Sequence, residues 1–148
     1  DQAILDEYDG SRFVTMAAME ITESHIAVVN AGHEPIRRIS SDGDVRELEL
    51  AGDPPLGLEG PTDYRAHLLD PLAPGETVVI LSDGAAESRN RDGEVFGSDG
   101  VNDAVGSLRS TSSVQTANRI GRAVLTFVDA DLADDLTTVV VQRHRDPT

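Results

Sequence analysis

Two acidic features stand against β-type runs instead of in a surface helix. Asp83-Gly84 closes TVVIL (77–81) through Ser82, and Asp134-Asp135 opens LTTVVV (136–141). Carboxylates at the ends of adjacent strands can converge, and hard divalent ions such as Mg²⁺ and Mn²⁺ want oxygen ligands with several waters retained. Paired ions about 3.5–4 Å apart form a known device for attacking phosphate esters with metal-bound water. Plainer roles fit the same residues. Asp-Gly is a common turn, and Asp134 can cap or solvate a loop. Spacing leaves both readings open.

The elements that must position these acids follow from pattern. RFVTMAAMEI (12–21) reads as a strand after a polar start, with Phe13, Val14 and Met16 available to a core. HIAVVNAGH (25–33) is a second strand, joined to it by a tight turn at Thr22-Glu23-Ser24. PIRRIS (35–40) and VRELEL (45–50) flank Asp42-Gly43, a strong hairpin signal. Residues 51–61 are a Gly/Pro-rich loop, 62–70 an outer strand, and 72–84 a turn followed by a buried strand. Ala85 to Asn90 can make a helical turn. Helices are expected around Ser98 to Leu108, and from a cap at Ser112 or Ser113 to about Val128. Leu136 to Gln142 returns as a strand. Strands, then helices, then one strand indicate an α+β fold, not a wound parallel sheet.

Composition narrows the function classes. The chain has 148 residues, 39% hydrophobic and 26% charged, which suits one globular domain. Aromatics are only 3%, so the core must be aliphatic around Phe13, Phe96 and Phe127. Absence of cysteine excludes a disulfide framework, a Cys-based zinc site and a thiol nucleophile. A net charge of −15, with every basic residue an arginine, repels phosphate backbones and anionic lipid. Nucleic-acid and membrane partners are therefore not expected. No apolar run approaches the ~20 residues that span a bilayer, and no basic-then-apolar leader is visible. A cytoplasmic location is the expectation.

Read in order, RFVTMAAMEI, HIAVVNAGHEP, DPPLGL, LAPGETVVILSDGAAESRN, GEVFG and ADDLTTVVV match a set of family signatures. The chain resembles the SpoIIE-like branch of the metal-dependent type 2C (PPM) serine/threonine protein phosphatases from about Arg12 to Arg143. Each piece is weak alone; six in the right order are specific. The resemblance implies an α+β fold, a β-sandwich flanked by helices, with two Mn²⁺ or Mg²⁺ ions at one end. It implies hydrolysis of phosphoserine or phosphothreonine by a metal-bound water, without a phospho-enzyme. Asp83 falls on the metal-ligand aspartate of the "TDG" motif and Asp134 on the first acid of "DD-T". Gly84, Asp135 and Thr137 then support those ligands. His33 sits where relatives carry an acid linked to a third ion.

The same resemblance shows a gap. The family's first acidic motifs, which bridge the two ions, normally lie upstream of the "FVT" strand, and nothing in Asp1 to Ser11 resembles them; Tyr8-Asp9-Gly10 is too close. Residues 1–148 thus read as a single partial domain, the C-terminal two thirds. Members of this branch act on phosphorylated bacterial regulators such as anti-anti-sigma factors in partner-switching signal transduction, and are often fused behind sensor domains. The competing function is a non-catalytic module that binds a phosphoprotein without turnover.

Plainer readings apply around the pair. His33 is expected to close a turn, with Asn30 and Gly32 shaping the strand exit. His25 and His67 read as surface residues, and Arg12 as a surface ion pair. Asp53, Asp92 and Asp99 read as turn or cap residues, Glu87 and Asn90 as structural, and Asp129 and Asp131 as loop solvation.

Overall fold

The computed structural model describes residues 2–8, 11–48, 50, 52–58, 62–106, 112–129 and 132–144. The fold is α+β, as the order of elements indicated, with two antiparallel sheets. The chain divides into two compact units, 1–33 with 49–71, and 34–48 with 72–148.

The first unit holds α1 (Gln2–Tyr8), β1 (Met16–Ile21), β2 (Ile26–Ala31) and β5 (His67–Leu69), in sheet order β1-β2-β5. The β1–β2 hairpin pairs Met16 with Ala31 through to Ile21 with Ile26. Its turn is closed where expected, by the Thr22 N–H donating to the His25 carbonyl at 2.9 Å. Two expectations fail here. The first strand is shorter than 12–21, because its partner β2 supplies only six residues and Val14 is left with an isolated bridge to Leu56. Phe13 is 55% exposed and is no core anchor, and Val14 and Met16 are exposed as well. Buried positions of this unit come instead from Ile26, Val28 and Ala31. The polar start also proved to be helical, in α1. The outer strand within 62–70 contracts to His67–Leu69 at the sheet edge. Ala51 and residues 59–61 of the Gly/Pro-rich loop lie outside the described residues.

The second unit carries β3 (Arg37–Ile39), β4 (Val45–Glu47), β6 (Thr77–Leu81) and β7 (Thr138–Gln142), in sheet order β4-β3-β6-β7. Its helices are α2 (Asp83–Ala86), α3 (Gly97–Gly106) and α4 (Ser113–Val128). The Asp-Gly turn is present, with Gly43 at φ 94°, a conformation glycine enters without a Cβ penalty. Alternation along β6 and β7 sends Val79, Leu81 and Val140 to one face, where they meet Val101, Val105, Ile120 and Val124 of α3 and α4. Phe96 and Phe127 pack tilted against each other, centroids 5.2 Å apart, beside this cluster. Ser112 caps α4 in a reciprocal box with Gln115, which satisfies two otherwise orphaned donors. Leu108, expected at the end of α3, lies outside the described residues. Strand β7 is an edge, and its other face shows Val139 and Val141 to solvent. No helix among the described residues is long and apolar enough to cross a membrane.

A buried charge ties this unit together. Arg37 is only 1% exposed, and its guanidinium is spent in four directions. Nε donates to Asn102 Oδ1 at 2.8 Å, Nη1 to the Pro35 carbonyl at 2.9 Å, and Nη2 to Glu47 Oε1 at 3.0 Å and Ser98 Oγ at 3.2 Å. The side chain thus bolts α3 to β3 and β4. Burial lowers its pKa, while Glu47 and Glu34 oppose the shift. Removing one partner of such a network strands the rest, so Arg37→Ala should cost roughly 3–5 kcal/mol in urea unfolding.

A second ion pair predicts a pH dependence. Arg38 pairs with Glu76, which also accepts the Ala73 N–H at 2.7 Å. Burial alone would raise the Glu76 carboxyl, but the Arg38 and Ala73 hydrogen bonds and the charges of Arg38 and Arg46 outweigh it and lower its pKa. A carboxylate depressed in the folded state stabilises above its unfolded pKa of about 4.3, and that contribution fades as pH falls through the folded value. Urea midpoints of the parent and Glu76→Gln should therefore differ at pH 6 and converge in strong acid.

Candidate active site at the paired strand ends

Strand β6 runs antiparallel to β7, with Leu81 opposite Thr138. Whatever follows β6 therefore lies beside whatever precedes β7. Pairing continues one step past the ladder, where the Ser82 N–H donates to the Thr137 carbonyl at 3.0 Å. Ser82 stands at the N-cap of α2 in extended backbone, yet its side chain makes no capping bond. Its hydroxyl turns across to the other chain end, accepting the Thr137 N–H at 2.9 Å and donating to the Asp135 carbonyl at 3.0 Å.

Gly84 completes the contact. It is buried, and a Cβ at this position would overlap the Asp135 carbonyl oxygen and lie 3.1 Å from its carbon. Only a residue without a side chain lets Asp83-Gly84 lie against Asp134-Asp135 this closely. The Ser88 hydroxyl donates to the Gly84 carbonyl at 2.6 Å and anchors the turn from the far side. Asp134 Oδ1 accepts the Asp135 N–H at 2.7 Å, which sets its side chain against its own backbone. Asp83 and Asp134 are both exposed, so their carboxylates meet solvent at one end of the sheet.

This donor set suits part of a hard-cation site. Mg²⁺ is commonly held by one or two carboxylates with its remaining positions filled by water. Among the described residues, no group of three or more His, Asp or Glu is placed to hold an ion. The pair fits one share of a metal centre and does not by itself supply ligands for two ions.

The remaining candidates fall elsewhere. His33 belongs to the first unit, where the Asn30 amide grips its backbone, donating to the His33 carbonyl at 3.1 Å and accepting its N–H at 2.8 Å. Gly32, at φ 64°, donates to the Asp53 carbonyl at 2.9 Å. Asn30 and Gly32 thus shape the strand exit, and His33 closes the turn. Arg12 departs from the expected ion pair, its guanidinium lying 5.5 Å above the Tyr8 ring. Asn90 organises its turn by accepting the N–H groups of Asp92 and Glu94. Asp129 ends α4 in the left-handed region and pairs with Arg91, a capping role beyond loop solvation. Asp9, Gly10 and Asp131 lie outside the described residues. Sequence reading missed the part played by Ser82; a polar residue between a buried strand and an acid was its only signal.

Comparison with known proteins places the chain. The family described as Stage II sporulation protein E (SpoIIE) matches residues 1–144. Protein IcfG of Synechocystis is 23% identical over 147 residues, covering 97% of this chain and 23% of that protein. Phosphoserine phosphatase RsbU of Bacillus subtilis is 27% identical over 146 residues, covering 97% of this chain and 43% of that protein. The chain therefore spans less than half the length of either. The Mn-presoaked phosphatase domain of the cell fate determinant SpoIIE from Bacillus subtilis superimposes with a TM-score of 0.71 at 18% identity, over 90% of this chain and 58% of that one. Likeness at that identity shows a shared fold, of the type the resemblance implied.

Two substitutions test the strand-end contact. Gly84→Ala should destabilise by about 1–3 kcal/mol, because the added methyl must push Asp135 away. Ser82→Ala should cost about 1 kcal/mol, and Ser82→Thr, which keeps the hydroxyl, much less. Thermal denaturation of the three variants checks both.

Proposed function

This chain belongs to the SpoIIE family, and from that premise we propose that it is part of a divalent-metal-dependent phosphatase acting on phosphoserine or phosphothreonine of a regulatory protein. The observation that carries the reading is the close approach of Gly84 to Asp135, which sets Asp83 and Asp134 at one solvent-facing end of the β6–β7 pair. The name of the RsbU relative and the Mn presoak of the SpoIIE domain support substrate class and cofactor.

Asp83 and Asp134 would hold Mn²⁺ or Mg²⁺. An ion held by Asp83 and Asp134 would supply charge neutralisation for the phosphoryl oxygens and would make a bound water more acidic. Hydrolysis breaks the bond between phosphorus and the side-chain oxygen of serine or threonine, releasing phosphate and the free hydroxyl. The chain's own residues prepare the site: Ser82 locks the strand ends, Gly84 permits their contact, and the Asp135 N–H orients Asp134. The remaining donors would come from sequence upstream of Met16. The regulatory phosphoprotein is of the anti-anti-sigma type, with sensor input from a fused domain.

A second reading, a phosphoprotein-binding module without turnover, is favoured by one observation: the described residues gather no third ligand.

The full-length gene product and residues 1–148 alone are compared on p-nitrophenyl phosphate with Mn²⁺ titrated in. Turnover is expected from the longer protein only. In that protein, Asp83→Asn or Asp134→Asn should lower kcat by orders of magnitude with little change in melting temperature. Near-normal turnover in either variant overturns the metal assignment, and no turnover by folded full-length protein leaves the binding module.

A further inference from the structure

Beside the acid pair the second unit has a partly open cavity of about 200 Å³. Gly84, Val128 and Ala133 give it apolar walls, and Asp134, Glu87 and Arg89 are charged members of its lining. The Ser88 hydroxyl, also in the lining, is committed to the Gly84 carbonyl. Val128 is the last residue of α4 and is only 4% exposed, so that wall is part of the packed core.

The lining is also cross-tied. Arg89 Nη1 donates to the Gly93 carbonyl at 3.0 Å, and Arg89 bridges to Val95, which closes the 89–95 turn on itself. Arg91 reaches from that turn to the end of α4, donating to the Asp129 carbonyl at 3.2 and 3.0 Å from Nε and Nη2. These bonds hold the 89–95 turn in place beside the cleft, and preorganisation of that kind favours discrimination by shape.

We propose that this cavity takes one aliphatic side chain flanking the phosphorylated residue of the substrate, and so sets sequence preference. The proposal rests on the phosphatase reading above. Asp134 belongs both to the acid pair and to the cavity lining, so a phosphorylated residue at the pair brings its neighbours within reach, an extended chain advancing about 3.3 Å per residue. The volume lies below the roughly 300 Å³ at which pockets for drug-sized ligands begin, and suits a single side chain. With Asp134 holding an ion, Glu87 and Arg89 leave the lining without net charge, and the apolar walls favour an aliphatic occupant over a charged one.

The full-length gene product with Mn²⁺ is assayed on p-nitrophenyl phosphate and on phosphoserine peptides carrying Leu, Gly, Lys or Glu at each flanking position. Leu at one position should raise kcat/KM over Gly there by at least about 10-fold, the lower end of what a single methylene contributes in a hydrophobic pocket. Ala133→Phe fills the cavity and should collapse that ratio towards one, each substrate being referred to p-nitrophenyl phosphate on the same protein. A flat ranking, a preference for Lys or Glu, or a Leu preference that survives in folded Ala133→Phe overturns the cavity assignment while the phosphatase reading stands. If p-nitrophenyl phosphate itself is not hydrolysed, the phosphatase reading fails and this one with it. Should Ala133→Phe not fold, the ranking on the unmodified protein decides alone.

Discussion

The register between Thr77–Leu81 and Thr138–Gln142 decides both where the core of the second unit lies and where its acids meet. A slip of one residue would turn Val140 away from α3 and α4, and would carry Asp134 past Asp83. The hydrophobic effect therefore guards the position of charged groups that contribute nothing to burial. Strand β6 is well suited to this, being flanked by β3 and β7 and buried at four of its five positions.

Arg37 does comparable work on β3, the other strand that flanks β6. Its strand pairs with β4 and β6, and its guanidinium reaches two residues of α3. An apolar side chain could fill the space, but would not fix the rotation of α3 against the strands, since dispersion has no direction and hydrogen bonds do.

How much of this was readable depended on distance along the chain. The β6 run, the Asp-Gly hairpin and α4 with its Ser112 cap are local patterns, and each is present. Asp83 and Asp134 were legible as candidates because both interrupt strongly apolar segments. Ser82 was not, since an N-cap serine is the local expectation and its true partners are 53 and 55 residues away. Arg37 is hidden in the sequence for a similar reason. Alternation says that one of Arg37 and Arg38 must face inward, but not that Asn102 and Ser98 wait there. Phe13 failed in the other direction, because an aromatic residue in an apolar run reads as core whether or not anything covers it.

The edge position of β7 has a consequence for handling the protein. Val139 and Val141 lie on an edge strand of high β-propensity, the arrangement through which sheets of separate molecules join edge to edge. The chain's 15 excess negative charges act against such joining, since each copy repels the next before their strands can align. That protection is lent by solvent conditions and not by the fold. High salt shortens its range, and acidification towards the isoelectric point near 4.4 removes it. Self-association under those conditions would begin at Thr138–Gln142, the same strand whose inner face anchors the core.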